Sequence, residues 1–324
     1  MNPDLSRAVE LAQAGDGEAA RAIVAGLADD HDPDALYTLG DMYWRGVLVD
    51  CNWRRALGYF AAAEKVGNLG ASYAITNLMA SGLACQRDWG GSIERLAREA
   101  EANEQRASAM RLIEAMKLDV TGDPVVPPTG EQISHSPDIR SFARLFSAAE
   151  CQHLVSLAEP FLAPSVVTGP NLEQIPDPIR TSDSATIHHL IEDPAVHALN
   201  RRLATVTDSE WACGEPLVVL RYRPGQHYLN HLDALPGLAN QRVTTALVYL
   251  NQGYEGGHTA FPAAGISYRG EVGDAIVFRN VLDDGQPDQS SVHAGLPVIV
   301  AEKYLASRWI REASIYGEMG QLTD

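Results

Sequence analysis

The sequence predicts a multidomain protein in which an all-α repeat region precedes an α+β domain with an antiparallel sandwich or barrel. Its 324 residues allow about two domains at the usual ~150 residues each. Residues 1–118 repeat apolar and alanine positions at intervals of three and four, as in RALGYFAAAEK. After Cys213 the chain changes to short runs rich in Val, Ile, Tyr and Leu. Strands that follow one another without helices between them favour an antiparallel arrangement.

The composition excludes several classes of partner. The net charge is −17, because Asp and Glu total 42 and Lys and Arg total 25. Such acidity argues against nucleic-acid binding and against a polybasic membrane surface. The four cysteines are far apart and form no CxxC pair, so no disulfide framework or zinc site is indicated. The polar N-terminus and the lack of a long apolar run predict a cytoplasmic protein without a membrane segment.

An internal repeat lies within the helical region. The segment beginning ALYTLGDMYWRG at Ala35 is repeated as ASYAITNLMASG at Ala71, an offset of 71 − 35 = 36 residues. The offset superposes three further pairs: Tyr37 on Tyr73, Gly46 on Gly82 and Trp53 on Trp89. A period of this length is typical of paired-helix solenoids. Residues 5–28 and 103–117 are expected to add a further helix pair and a capping helix.

On these residues the region resembles the Sel1-like branch of the tetratricopeptide family. Small residues stand where the helices must approach closely, although the second copy has Thr76 where the first has Gly40. The resemblance leaves two roles open. The repeats could bind a protein segment along a concave face, or they could form a rigid cap beside the next domain.

The predicted domain boundaries follow the composition. Residues 1–118 form the repeat domain, and residues 119–137, which are rich in Pro and Gly, form a linker that is partly extended. Residues 138–324 form the second domain. It is expected to start with two helices, in AAECQHLVSLAE and DPAVHALNRRLATV, before the strands begin.

A candidate metal site lies in the strand-rich part. Of the ten histidines, only His231 is followed two places later by an acid, Asp233. On a strand these two side chains would point to the same face. A second histidine from a distant strand would complete a triad of two His and one carboxylate, which leaves positions on Fe(II) open for a cosubstrate and O2. His258 and His293 are both candidates.

The surrounding motifs select between the two histidines. The stretch RYRPGQHYLNHLDALPG resembles the YxxGQxYxxHxD motif of the prolyl 4-hydroxylase branch of 2-oxoglutarate- and Fe(II)-dependent dioxygenases. QRVTTALVYLNQGYEGGHTAFP, VGDAIVFRN and SVHAGLPVIVAEKYLASRWIRE resemble later motifs of that family, and Arg180-Thr181-Ser182 resembles its RxS loop. The motifs follow the family's order over residues 140–314, approximately. The resemblance implies a double-stranded β-helix, or jelly-roll, core.

The resemblance implies that His231, Asp233 and His293 bind iron and form the catalytic centre. His293 has the HxG context of the family, whereas His258 stands where the family usually has Glu. His258 is therefore expected to lie at the rim of the cosubstrate pocket. Two smaller departures, Ala301 for Gly and Tyr304 for Trp, preserve the strand pattern.

The resemblance also implies that Lys303, Thr259 and Tyr222 bind the distal carboxylate of 2-oxoglutarate. The residues themselves support the first assignment. Lys303 is the only lysine after residue 117, and it stands in an otherwise apolar strand where an unpaired ammonium is costly. Substrate contacts are implied at five further positions: Arg180, Ser182, Glu215, Tyr228 and Arg242.

The implied reaction is hydroxylation of an unactivated C–H bond, with 2-oxoglutarate converted to succinate and CO2 and with ascorbate as a candidate reductant. A prolyl residue of a protein or peptide is the expected target, and the repeats are a candidate for binding it. Two alternatives stay open: hydroxylation of a free amino acid or small metabolite, and a non-catalytic interaction protein. Intact His231, Asp233, His293 and Lys303 argue against the last.

Overall fold

The computed structural model of the protein describes residues 2–168, 174–235 and 237–317. These residues form two compact units. One contains the residues up to Met110, the segment His189–His197 and the described residues from Tyr316 onward. The other contains Arg111–His188 and Ala198–Ile315.

Helices occupy the described chain almost continuously up to residue 115, as the apolar spacing predicts. Nine α-helices occur in the described residues: α1 (Pro3–Gln13), α2 (Gly17–Asp29), α3 (Pro33–Arg45), α4 (Trp53–Lys65), α5 (Leu69–Ser81), α6 (Trp89–Ala100), α7 (Glu104–Ala115), α8 (Ala148–Ala158) and α9 (Pro194–Val206). None of these helices is long and apolar enough to cross a membrane.

The 36-residue repeat is confirmed element by element. Helices α3 and α5 start 36 residues apart, and so do α4 and α6. Gly46 and Gly82 end the first helix of each pair in the left-handed conformation, with φ of 68° and 79°, which glycine adopts without a steric penalty. Asn52 and Asp88 cap the second helix of each pair by accepting a backbone N–H.

The substitution of Gly40 by Thr76 in the second repeat has a structural reason. A Cβ atom at Gly40 would lie 2.6 Å from the buried ring of Phe60, so the first repeat needs glycine there. Thr76 is also buried, but it lies in a polar network. Its hydroxyl donates to Glu99 at 2.6 Å and accepts from Arg95 at 2.9 Å. The two helix pairs therefore use different contacts at the same position.

Strands dominate the second unit. The described residues contain sixteen: β1 (Glu131–His135), β2 (Asp138–Phe142), β3 (Ala163–Pro164), β4 (Val167–Thr168), β5 (Gln174–Ile175), β6 (Asp183–Ile187), β7 (Leu217–Tyr222), β8 (Tyr228–His231), β9 (Arg242–Tyr249), β10 (Glu255–Gly256), β11 (Thr259–Phe261), β12 (Ile266–Tyr268), β13 (Ala275–Arg279), β14 (His293–Gly295), β15 (Val298–Val300) and β16 (Lys303–Arg311). The runs with the highest β propensity in the sequence correspond to β7, β9, β13, β15 and β16.

Two antiparallel sheets make up most of this unit, which confirms the predicted antiparallel architecture. The prediction that both helices precede the strands is wrong, because β1 and β2 come before α8, and β3 to β6 lie between α8 and α9. The large sheet has the order β1-β2-β13-β9-β16-β7-β6-β3, and the small sheet has the order β12-β11-β14-β8. Two short ladders, β10-β15 and β4-β5, complete the set. The core packs side chains from both sheets, such as Tyr249 and Phe278 from the large one and Phe261 from the small one. Strand β1 falls within the segment expected as a linker and pairs with β2.

We predict that the two glycines in the α3–α4 pair respond oppositely to alanine. Gly40→Ala should lower the free energy of unfolding by about 1–3 kcal/mol, because the added methyl would overlap the buried Phe60 ring. A Cβ atom at Gly58 in α4 would have no neighbour within 4 Å, so Gly58→Ala should raise that free energy by about 0.5–1 kcal/mol. Urea unfolding followed by helical circular dichroism measures both. Equal effects of the same sign would contradict the packing described for Gly40.

Candidate active site

The pairing of β8 with β14 brings the two predicted histidine ligands together. His231 stands opposite His293 in this antiparallel ladder. Asp233 lies two residues beyond the end of β8, and its carboxylate oxygens are 3.7 Å from Nε2 of His231 and 3.7 Å from Nε2 of His293. Potential ligand atoms of the three residues all lie within 4.8 Å of one another. In the described part of the chain, His258 is not a member of this or any similar cluster.

Backbone carbonyls fix the orientation of both imidazoles. Nδ1 of His231 donates to the carbonyl of Leu229 at 2.8 Å, and Nδ1 of His293 donates to the carbonyl of Ser291 at 3.0 Å. A carbonyl can only accept, so each Nδ1 carries the proton and each Nε2 has a free lone pair. Such hydrogen bonds to the distal nitrogen are typical of metal-binding histidines.

Two residues that the sequence did not identify hold the carboxylate. The Thr245 hydroxyl donates to Oδ2 of Asp233 at 2.7 Å and accepts from the Asn280 amide at 2.9 Å. Both side chains are fully buried. Thr245 and Asn280 are 35 residues apart, so no local pattern predicts that they contact each other. The only signal in the sequence was that they lie in the strand-like stretches VTTALVYLN and AIVFRN.

The electrostatic environment favours the protonation states that bind a divalent cation. Burial lowers the pKa of His231 to about 3, and the neighbouring His293 acts in the same direction. Burial by itself would raise the pKa of Asp233, but His293, His231 and the Thr245 hydrogen bond outweigh it and hold the pKa below its usual value. A neutral imidazole and an ionised carboxylate are ligand forms suited to Fe(II).

Lys303 lies in a buried cavity that is also lined by all three members of the triad. It stands opposite Tyr222 in the β16–β7 ladder and is only 2% exposed. Its Nζ donates to the carbonyl of Gly257 at 2.6 Å and lies 5.4 Å from the ring centroid of Tyr222. Gly257 has φ of +64°, and a Cβ atom there would lie 3.1 Å from the lysine side chain. The glycine therefore permits the close approach of the backbone to Lys303.

Thr259 lines the same cavity, and it is hydrogen-bonded to Tyr249, a residue outside that lining which sequence analysis missed. The hydroxyls of Thr259 and Tyr249 are 2.7 Å apart, and the Tyr249 ring centroid is 5.2 Å from Nζ of Lys303. Burial raises the pKa of Tyr249 and of Tyr222, so both phenols stay protonated and can donate to an anion. Tyr249 belongs to the YLN stretch of the family motif, which was the available signal.

The charge of Lys303 has no acidic partner among the described residues. Burial lowers its pKa to about 7, since the ammonium is desolvated. The cavity thus combines two cationic side chains, Lys303 and Arg180, with several hydroxyl donors, beside two imidazole nitrogens and a carboxylate. A dicarboxylate that reaches from the triad to Lys303 fits this donor set, and 2-oxoglutarate is such a molecule.

An open groove adjoins this cavity and shares Arg180, Tyr228 and Trp309 with its lining. His231 and Asp233 line it together with four of the five predicted substrate contacts, namely Arg180, Glu215, Tyr228 and Arg242. The fifth, Ser182, is not part of its lining; it is buried, with its hydroxyl 2.9 Å from that of Ser165. The ring of Tyr228 stacks on the imidazole of His231 with a centroid distance of 3.5 Å.

The charged residues of the groove differ in how they are paired. Arg242 donates two hydrogen bonds to Glu215, at 2.6 and 2.8 Å, and its guanidinium lies 4.2 Å from the ring centroid of Trp309. Arg311, which sequence analysis did not single out, also places Nε 2.6 Å from Glu215. Arg180 instead donates to the carbonyl of Val166 at 3.2 Å and has no ion pair with any described residue.

Comparison with known proteins agrees with this geometry. The model of the 2OG-Fe(II) oxygenase superfamily, in which 2OG stands for 2-oxoglutarate, matches residues 217–311. Prolyl 4-hydroxylase 1 of Arabidopsis thaliana is 34% identical over 202 residues, which are 56% of this chain and 71% of the relative. Prolyl 4-hydroxylase 2 of the same organism is 34% identical over 57% of this chain and 70% of its own length. The chain therefore belongs to the prolyl 4-hydroxylase family of Fe(II)- and 2-oxoglutarate-dependent oxygenases.

Solved structures give partial matches to both parts of the chain. A viral collagen prolyl hydroxylase from Paramecium Bursaria Chlorella virus-1, in complex with 2-oxoglutarate, is 26% identical. The match covers 54% of this chain and 96% of that one, with a TM-score of 0.42. A Sel1 repeat protein from Oxalobacter formigenes is 22% identical over 28% of this chain and 37% of its own, with a TM-score of 0.26.

We predict that Lys303→Met separates cosubstrate binding from stability. Loss of the ammonium should weaken 2-oxoglutarate binding at least about 100-fold, since it leaves the distal carboxylate unpaired. The same change removes a buried, desolvated charge and should raise the free energy of unfolding by on the order of 1–4 kcal/mol without cosubstrate at pH 6. Calorimetric binding and urea unfolding measure the two effects. Lys65→Met, on helix α4, is the control and should change neither.

A second prediction concerns the uptake of a proton when 2-oxoglutarate binds. The pKa of Lys303 is about 7 and should rise when a carboxylate binds, because an anion favours the ammonium. Binding of 2-oxoglutarate to the Fe(II)-loaded protein should therefore take up about one proton at pH 8 and almost none at pH 6. Calorimetry without oxygen in buffers of different ionisation enthalpy measures this uptake. Oxalate, which lacks the distal carboxylate, should give none, and equal uptake with oxalate would rule out Lys303 as the source.

Proposed function

We propose that the protein hydroxylates prolyl residues of a polypeptide at C4, consuming 2-oxoglutarate and O2 and releasing succinate and CO2. The observation that carries this proposal is that His231 and Asp233 line two spaces at once. One is the buried cavity that contains Lys303, and the other is the open groove. A cosubstrate in the cavity and a substrate in the groove would therefore both lie beside one metal.

The residues of the buried cavity perform distinct tasks. His231, Asp233 and His293 would hold Fe(II), which when bound supplies activation of O2 and the oxidising power for C–H cleavage. Lys303, Thr259 and Tyr222 would anchor the distal carboxylate of 2-oxoglutarate, with Tyr249 orienting Thr259 through their hydrogen bond. The hydrogen bonds from Thr245 and to the two carbonyls keep the three ligands in one orientation.

The groove suits a polypeptide better than a free amino acid. A free amino acid has a carboxylate and an ammonium, and it needs an unpaired charge of each sign. In the groove, Glu215 already pairs with Arg242, while Arg180 has no acidic partner among the described residues. The one further acid of the lining outside the triad, Asp177, accepts the backbone N–H of Ile179 at 2.9 Å. Nε of Arg180 and Nε1 of Trp309 are buried and have no hydrogen-bond partner in the part of the chain that the structure describes. Such donors match the carbonyl groups of a peptide.

The groove also presents Tyr228 as a donor. Burial raises the pKa of Tyr228 to about 12, so its hydroxyl stays protonated at neutral pH. We propose that Arg180, Glu215, Tyr228 and Arg242 surround the prolyl residue. Ser182 would act by positioning its neighbours, since its hydroxyl bonds to Ser165 and a side-chain hydrogen bond links it to Tyr222.

We further propose that the helical repeats, taken as residues 1–118, select the target polypeptide. The supporting observation is an apolar groove within the first unit, formed by side chains of α1 to α3 and the turn after them. Its apolar residues include Leu5, Val9, Val24, Met42, Val47 and Leu48. Val9 and Val47 are each about half exposed, at 51% and 50%, which is consistent with a surface that binds another chain.

Turnover of a synthetic prolyl peptide tests the proposed activity. Wild-type protein with Fe(II) and 2-oxoglutarate should release succinate and form 4-hydroxyproline in equal amounts. His231→Ala should reduce both at least about 1000-fold, because one of three ligands is lost. His258→Ala is the matched control and should retain turnover, since His258 is outside the triad.

Binding without turnover keeps the test independent of the peptide chosen. Under anaerobic conditions the wild type and His258→Ala should show the visible metal-to-ligand charge-transfer band with Fe(II) and 2-oxoglutarate, and His231→Ala should not. A folded wild type without the band would overturn the enzymatic proposal.

The role proposed for the repeats has its own test. Val9→Glu places a charge in the apolar groove of the first unit, so it should raise KM for a long proline-containing polypeptide and leave KM for a short peptide unchanged. Steady-state kinetics with the two substrates measures the difference. An unchanged KM for the long polypeptide would remove the role proposed for the repeats.

A further inference from the structure

One exposed segment of this chain has the chemistry of a prolyl substrate. Residues 124–130, PVVPPTG, contain the only Pro-Pro pair in the sequence and no charged residue. Pro127 is exposed, and the two valines before it are 59% and 71% exposed, at Val125 and Val126. Large apolar side chains are seldom left this open in a row unless they meet another molecule.

The backbone in the middle of this segment is accessible and has no partner among the described residues. A residue that precedes proline is restricted to β and polyproline II conformations, and this applies to Val126 and to Pro127 itself. Residues 126–129 have no regular secondary structure, and they form no hydrogen bond with any residue that the structure describes. A polypeptide that enters a groove must present an unpaired backbone, as the middle of this segment does.

The segment and the substrate groove are complementary in charge and polarity. The groove has apolar walls that include Val167, Ile179 and Leu235, and the charges of Glu215 and Arg242 compensate each other. An uncharged, apolar segment fits such walls without loss of ion pairs. The carbonyl groups of the segment have no donor among the described residues and could accept from the unused Nε–H of Arg180.

Both ends of the segment are fixed, so it cannot reach far within its own molecule. On one side, the backbone N–H of Val125 donates to the carbonyl of Lys117 at 3.0 Å, and Leu118 bridges Pro124. On the other side, β1 begins at Glu131, which pairs with Ser141. A few residues between two fixed ends can change conformation locally, but they cannot move far from their position. The segment is therefore accessible to the active site of a second copy of the protein, and not to its own.

From these contacts we propose that Pro127 is a hydroxylation site, modified by a second copy of the chain. The inference rests on the proposed prolyl hydroxylase activity and names one substrate for it. The reaction replaces a C4–H bond of Pro127 by C4–OH. One atom of O2 enters the proline, the other enters succinate, and 2-oxoglutarate supplies the two electrons as it loses CO2. No further reactant is needed.

The test uses a full-length acceptor that cannot modify itself. The ¹⁵N-labelled His231→Ala protein is mixed with unlabelled wild type, Fe(II), 2-oxoglutarate, ascorbate and ¹⁸O2. Trypsin then releases the peptide between Lys117 and Arg140, and tandem mass spectrometry locates the oxygen. We expect ¹⁸O on Pro127 of the labelled peptide, at a rate proportional to wild-type concentration. The labelled protein alone should stay unmodified.

Acceptor variants and free peptides make each outcome decisive. Pro127→Ala in the acceptor should abolish the labelling, and Pro124→Ala, at the anchored end, should retain labelling of Pro127. A synthetic peptide of sequence TGDPVVPPTGEQI and poly(L-proline) are assayed in parallel. Hydroxylation of either probe without labelling of Pro127 in the folded acceptor would overturn the inference and leave the proposed function intact. Loss of both activities, in protein that shows the charge-transfer band, would overturn both.

Discussion

The antiparallel pairing of β8 and β14 is the contact on which the candidate active site depends. It sets His231 opposite His293 and brings residues that are 62 positions apart into one ligand set. Strand register is sensitive here, since a slip of one residue would turn a side chain to the opposite face. The carbonyls of Leu229 and Ser291 belong to the same two chain segments. Backbone geometry therefore selects which two histidines face each other and the tautomer of each imidazole, while aromatic rings such as Tyr228 pack against them.

Lys303 shows the opposite kind of constraint, because the folded chain compensates the charge of its ammonium only in part. Desolvation opposes the ammonium, and one carbonyl and two aromatic faces compensate it only in part. The apo-protein thus retains an unfavourable feature where a bound anion would make it favourable. Pre-organised sites commonly include this cost, since an empty pocket that satisfied all of its own groups would have little to gain from a ligand.

Sequence analysis predicted the features that depend on residue type and local spacing. Strong β propensity located β7, β9, β13 and β16, and the helix periods located the repeat helices together with α8 and α9. It could not predict β8, β11 and β14 individually, since three or four residues are too few to show a period. Strands β1 to β6 were also missed, because each has at most five residues and is stabilised by pairing with another strand rather than by a local period.

The residues of the candidate site also fall into two groups, those that the sequence could identify and those that it could not. His231, Asp233, His293 and Lys303 could be named from motifs, and the structure brings them to one cavity. Thr245, Asn280, Tyr249 and Arg311 were not named, because each acts through a contact between residues distant in the chain. Ser182 illustrates the converse: its motif suggests a substrate contact, while its burial beside Ser165 gives it a different surrounding. Motif spacing identifies the residues that would take part in the reaction more readily than it identifies the residues that hold them in place.

The caps of the helix pairs have a consequence for the length of the array. Each pair begins behind its own side-chain cap, and its first helix ends at a left-handed glycine, at the same positions 36 residues apart. A helix pair whose ends are capped by its own residues can be duplicated or deleted as one unit. The number of repeats is therefore free to change among related chains by unequal duplication, while the candidate iron ligands stay untouched.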